Sequence, residues 1–197
     1  MSPDGVMQMA IQLAYTRLHK QTVSVYGSAS TSSFLRGRTE TIRSCTPASA
    51  AFVATMMKQG ASAEEKNMSL RAACAVHGDV TFAALTGKGI DRHLFALKQL
   101  ASRQPGPLPA FFSLPAYSRM IHNTLSTSTL SSPALDGGGF GPVVADGYGV
   151  GYGIQDDGSG FSVTSYMDTL PAFGASLQEA VSDMQAVLQQ TAKRTKE

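Results

Sequence analysis

The stretch YGSASTSSFLRGRTETIRSCT, Tyr26 to Thr46, is dense in hydroxyls (Tyr26, Ser28, Ser30, Thr31, Ser32, Ser33, Thr39, Thr41) and in arginines (Arg36, Arg38, Arg43), with Glu40 as its single acid. Hydroxyls beside guanidinium suit a ligand that carries a carboxylate, because arginine offers a planar fork of donors and hydroxyls complete the shell. The same composition fits a polar, solvated loop. Just upstream, Thr22-Val23-Ser24-Val25-Tyr26 alternates polar and apolar, the pattern of a short strand that would deliver Tyr26 and Ser28 at its end.

Working outward, helical signals flank this stretch. Ser2-Pro3-Asp4 is a helix start, with a capping hydroxyl, a proline for the first turn and an early acid at the positive end. Apolar residues then populate most sides through Leu18, as in a buried helix. Thr46-Pro47 opens a second helix, with Ala51, Val53, Met56 and Met57 expected inside and Gly60 as the stop. Ser62 to Glu65 fits a capping box for a third, through Leu70, Ala73, Cys74 and Val76 toward Leu85. Ile90 to Leu100 follows, with Leu94, Leu97 and Leu100 on one side; the Pro- and Gly-rich run 104–109 reads as a surface loop within the domain.

Farther on, Thr124 to Leu130 suggests a strand. Gly147 to Ile154 alternates strictly, large residues on one face and glycines on the other, and Phe161, Val163 and Ser165 answer as a return strand. That glycine face permits close approach of a backbone or a ligand. Ser176 with Glu179 reads as another capping box, before Leu177, Ala180, Val181, Met184, Val187 and Leu188 at helical spacing.

The 197 residues suit one domain with a sizeable core. A formal charge of +2 makes no case for nucleic acid. No apolar run approaches the ~20 residues of a membrane span, and no basic-then-apolar leader follows Met1. Cys45 and Cys74 have neither CxxC nor metal spacing and read as reduced thiols. No metal or bound cofactor is expected.

The order Y-x-S then G-R-T-E-T-I-R-S resembles the carnitine/choline acyltransferase family, in its palmitoyltransferase branch. So do Asp91-Arg92-His93-Leu94-Phe95, LSTSTLSSPAL (Leu125 to Leu135) and GGFGPVVADGYGVGY (Gly138 to Tyr152). The likeness runs from Ser2 to about Leu188 and covers only the C-terminal part of the family's sequence. It implies an α/β fold, a mixed sheet with flanking helices of the chloramphenicol acetyltransferase type. It also implies that residues 1–197 form a single domain whose catalytic-histidine half lies upstream.

The reaction implied is transfer of a long-chain acyl group between coenzyme A and L-carnitine, with acyl-CoA as co-substrate. A peripheral location on the matrix side of the mitochondrial inner membrane goes with it. By the same resemblance Tyr26, Thr39 and Arg92 match positions that hold the carnitine carboxylate, and Ser28 a further carnitine contact. Ser128 matches the hydroxyl that stabilises the oxyanion and lies near the ammonium, which Phe140 faces through a cation–π contact. Ser2, Pro3 and Asp4 close the coenzyme A segment. Gly138 matches a position that guards the acyl groove, and an absent side chain there leaves room for a tail whose burial contributes ~0.8 kcal/mol per CH₂.

Gly27 stands where the family usually has Glu. None of His19, His77, His93 and His122 falls in the family's catalytic motif, so the chain is expected to lack the general base. Two alternatives stay open: a medium-chain or peroxisomal carnitine acyltransferase, and a non-catalytic fragment that binds a ligand or partner.

Overall fold

The helix α1 (Pro3–His19) lies at the centre of the molecule. Ser2 caps it, its hydroxyl accepting from the Gly5 amide at 3.5 Å, and Lys20 ends it in the left-handed region at φ 58°. Met7 through Tyr15 are buried without a break. A helix apolar on most sides has no solvent face, and so it packs on several elements at once. The computed structural model describes residues 1–129, 132, 134–135 and 137–194.

Around α1 stand β1 (Val25–Ser30), β2 (Thr39–Ile42), α2 (Pro47–Met57), α3 (Ala63–Leu85) and α4 (Asp91–Ala101). A 3-10 turn (Ala110–Ser113) leads to α5 (Pro115–Ile121), β3 (Leu125–Thr129), β4 (Tyr148–Ile154), β5 (Ser159–Ser165) and α6 (Leu170–Arg194). The strands form one mixed sheet in the order β2-β1-β3-β4-β5, with β1, β3 and β4 parallel and both outer strands antiparallel to their neighbours. The α/β class and the mixed sheet with flanking helices are therefore as the sequence implies. No helix of the described residues is long and apolar enough to cross a membrane.

One sheet face receives α1. Val25, Leu125, Tyr148, Val150 and Tyr152 join Met9, Ile11, Leu13, Phe52, Phe173 and Met184 in the main core. A satellite of Ala29, Ile42, Ala84 and Val80 carries the end of α3 onto β1 and β2. On the other face Gly149 and Gly151 lie under the backbone of residues 138–141. A Cβ at Gly149 would stand 2.5 Å from the Phe140 carbonyl oxygen, and one at Gly151 2.6 Å from that of Gly138. The glycine face serves close backbone approach, as its alternation predicts.

Four expectations are corrected. The first strand begins at Val25 rather than Thr22 and runs through the serines to Ser30. In α2 the inward residues are Phe52, Val53 and Met56, while Ala51 and Met57 are exposed. α4 forms where expected but buries nothing, Leu97 and Leu100 standing 43% and 57% exposed. Ser176 caps no helix: α6 begins at Leu170, and the Ser176 hydroxyl donates to the Ala14 carbonyl at 3.0 Å, joining α6 to α1.

Candidate functional site

Strand alternation sorts the hydroxyls of β1 and β2. Val25, Gly27 and Ala29 face the helices, so Tyr26, Ser28 and Ser30 face the other way. Cross-strand register then places Thr41 opposite Ser28, Thr39 opposite Ser30, and Ser126 opposite Tyr26. Ser128, two residues beyond Ser126, shares that face. Tyr26, Ser28, Thr39 and Ser128 are thus gathered from three adjacent strands onto one side of the sheet.

Arg92 comes to them from α4. Its Nε donates to the Thr39 carbonyl at 3.0 Å and its Nη2 to the Thr39 hydroxyl at 3.2 Å. Nη1 meets no acceptor among the described residues, so part of the fork is open to a carboxylate. Tyr26, Thr41, Arg43, Arg92, Lys98 and Tyr117 line one cavity of about 300 Å³.

Ser28 and Ser128 also border a second, mainly apolar cavity of about 650 Å³ at the carboxyl ends of β1, β3 and β4. Ser2, Pro3 and Asp4 border it too, so the start of α1 opens beside the serines. Gly138 lines a broader cleft of about 1330 Å³ beside the β4–β5 turn, and Tyr152 and Ile154 belong to both walls. Phe140 lies over β4, its carbonyl accepting from the Thr164 hydroxyl at 2.5 Å.

A buried hydrogen-bond chain crosses the wall of the apolar cavity, and the motif reading missed it. His77 Nε2 meets Asp4 Oδ2 at 2.8 Å, and the Tyr152 hydroxyl donates to Asp4 Oδ1 at 2.5 Å. Gln8 Nε2 donates to Tyr152 at 3.1 Å and to Thr127 Oγ1 at 2.9 Å, and Thr127 donates to the Tyr26 carbonyl at 2.8 Å. The signal for it is Gln8 inside an otherwise apolar helix, since a buried amide needs partners.

Burial pushes the Asp4 carboxyl up, but hydrogen bonds from His77 and Tyr152 outweigh it and hold the group below its ordinary value. Burial and the Asp4 charge push the Tyr152 phenol well up, so it stays a donor. Asp4 therefore has both oxygens occupied inside the protein. His77 has the composition of a general base with an orienting acid, and it lines the apolar cavity with Ser128, but it is only 2% exposed. Its Nε2 is held by Asp4, and its Nδ1 is buried with no partner among the described residues.

The other histidines stand apart. His19 meets Tyr148 at 2.9 Å and stacks on Tyr15, His122 meets Asp146 at 2.8 Å, and His93 is an exposed residue of α4. No group of three or more His, Cys, Asp or Glu suited to a metal occurs among the described residues.

Comparison with known proteins agrees with the motifs. A profile of the Choline/Carnitine o-acyltransferase family matches residues 1–189. The chain is 44% identical over 200 residues to mitochondrial carnitine O-palmitoyltransferase 2 of Mus musculus, covering 99% of this chain and 30% of that protein. It is 47% identical over 170 residues to the Homo sapiens protein of the same name, covering 84% and 26%. To carnitine O-acetyltransferase of Columba livia it is 38% identical over 196 residues, covering 98% and 31%. The chain thus spans about 30% of the length of these relatives.

Proposed function

The chain belongs to the choline/carnitine O-acyltransferase family, and on that premise we propose that it supplies the carnitine and acyl-group site of a long-chain carnitine O-acyltransferase. The observation that carries this reading is the bonding of Arg92 to Thr39 on the sheet face that also bears Tyr26, Ser28 and Ser128. The open part of the Arg92 fork takes the carboxylate of L-carnitine, with Tyr26 on the same cavity. Ser128 donates to the oxyanion as the acyl group passes between carnitine and coenzyme A. Phe140 faces the trimethylammonium. Ser2 and Pro3 border the entry for coenzyme A, and Asp4 acts there indirectly by fixing the first turn of α1.

The acyl tail runs past Gly138 into the apolar cavity. That cavity, at about 650 Å³, has the size and lining of a ligand site, apolar with a few placed polar groups. Long-chain preference follows from this room and from the resemblance to the palmitoyltransferase branch. A mitochondrial setting follows from the names of the relatives, and peripheral contact with the matrix face of the inner membrane from the resemblance.

The general base comes from outside these 197 residues: His77 shares a cavity with Ser128, but its Nε2 is engaged by Asp4 and its ring is buried, and the other histidines stand apart. Calorimetry with L-carnitine tests the site: Arg92→Ala and Thr39→Ala are expected to weaken binding roughly tenfold or more, the effect of losing a charge-assisted pair. Unchanged affinity in both would remove the proposed cradle, and acyl transfer by the isolated chain would overturn the assignment of the base. In a longer form that turns over, Gly138→Met is expected to shift preference toward short acyl groups. An unshifted chain-length profile would detach Gly138 from the acyl path.

A further inference from the structure

We propose that Glu40 and Arg43 are positioning residues: they hold the first turn of α4 against β2 and so set where Arg92 stands. This rests on the reading of Arg92 as the carboxylate-binding residue. The need for such a device is visible in α4 itself. It buries no apolar side chain, with Phe95, Leu97 and Leu100 exposed, so apolar packing does not place it, and no side chain of its own caps its start.

Two residues of β2 and its exit do that work. Glu40 is 6% exposed, and its two oxygens receive the Arg92 amide at 3.4 and 3.3 Å. A carboxylate at that point meets the unpaired amides and the positive end of the helix. Oε1 also accepts from the Thr41 amide at 2.6 Å, which fixes the carboxylate to its own strand. Buried and engaged on both oxygens, Glu40 is not available to a ligand.

Arg43 takes the other side of the same turn. Its Nε donates to Asp91 Oδ2 at 2.9 Å and its Nη2 to Asp91 Oδ1, a two-pronged pair with the residue next to Arg92. Nη1 reaches the Met120 carbonyl at 2.8 Å, the Asn123 side chain at 2.7 Å and the Ser24 hydroxyl at 2.8 Å. One guanidinium thus ties the start of α4, the end of α5 and the entry to β1 into a frame. Within it Arg92 bonds back to Thr39 with Nε and Nη2 and leaves Nη1 toward the cavity shared with Tyr26. Lysine keeps the charge but has no planar fork, so Arg43→Lys breaks the frame without removing the cation.

Hydrogen exchange and calorimetry on the 197-residue chain test the proposal together. In Arg43→Lys and Glu40→Gln, amides in residues 91–94 are expected to exchange about tenfold faster, with α1 and α6 unchanged. Carnitine affinity is expected to fall about tenfold in both. Unchanged exchange in α4, or an equal rise in every helix, overturns the positioning role. So does a loosened α4 in variants that keep their carnitine affinity while Arg92→Ala loses it. If Arg92→Ala leaves carnitine affinity as it was while α4 loosens in the other two, the carnitine reading fails and the positioning of α4 stands.

Discussion

At the scale of single residues, two glycines of the sheet look alike in sequence and are opposite in consequence. Gly27 lies in β1, facing the apolar cavity, and a Cβ there would meet only ordinary contacts, Ile42 Cβ and Thr127 Oγ1 both at 3.5 Å. Glycine in a strand costs roughly 0.5–1 kcal/mol in backbone entropy, so Gly27→Ala is expected to stabilise by about that amount. Gly149 sits in β4 under the Phe140 carbonyl, 2.5 Å from any Cβ, and a backbone oxygen cannot swing aside. Gly149→Ala is therefore expected to cost about 1–3 kcal/mol, as overpacking does. Urea unfolding of both variants checks the pair; equal shifts would mean that the 138–141 segment does not press on β4. The sequence marked both glycines, but only the register of β4 against its covering loop separates them.

At the scale of elements, alternation in the β4–β5 hairpin is legible locally, whereas strand ends, helix faces and one apparent cap are decided by partners. The β4–β5 hairpin was legible because Tyr148, Val150 and Tyr152 alternate with glycines and the turn residues fall between the strands. β1 lies three residues later than the alternation implies because Ser28, Ala29 and Ser30 carry no apolar pattern; pairing with β2 makes them a strand. Ser176-x-x-Glu179 has the letters of a capping box, but α6 had already begun six residues earlier and its serine bonds to α1 instead. The helix faces follow the same rule. In α2, Phe52 is fully buried and Met57 is 40% exposed, although spacing alone favoured Met57. Phe52→Ala is thus expected to cost about 3–5 kcal/mol, and Met57→Ala, like Leu97→Gln and Leu100→Gln on α4, less than about 0.5 kcal/mol. Chemical denaturation of the four variants measures this. A large loss from either α4 change would show that the helix is held by apolar packing rather than by Glu40, Arg43 and Thr39. In the candidate site, Tyr26, Thr39, Arg92 and Ser128 were legible through their motifs, whereas His77, Gln8 and Tyr152 were not, because their partners come from α3, α1 and β4 and lie up to 148 residues apart.

At the scale of the whole molecule, that long-range chain links the helical layer to the sheet through one carboxylate. Asp4 receives His77 from α3 and Tyr152 from β4, and these bonds hold its carboxyl below the ordinary 3.8 although burial pushes the other way. A carboxyl whose pKa is lower folded than unfolded contributes stability that is fully present above the unfolded value, near 3.8, and disappears as the pH falls through the folded one. Asp4→Asn removes this linkage while keeping a side chain of similar shape that can accept a hydrogen bond. At pH 6 the variant is expected to be the less stable of the two, because a neutral acceptor is a poorer partner for His77 and Tyr152. Below pH 4 the wild type should lose stability faster, so that the gap between the two urea midpoints narrows as acid is added. A gap that stays constant from pH 6 to the acid limit would show that the Asp4 charge does not hold α1 to α3 and β4. The mouth of the apolar cavity at Ser2, Pro3 and Asp4 would then owe its shape to packing alone.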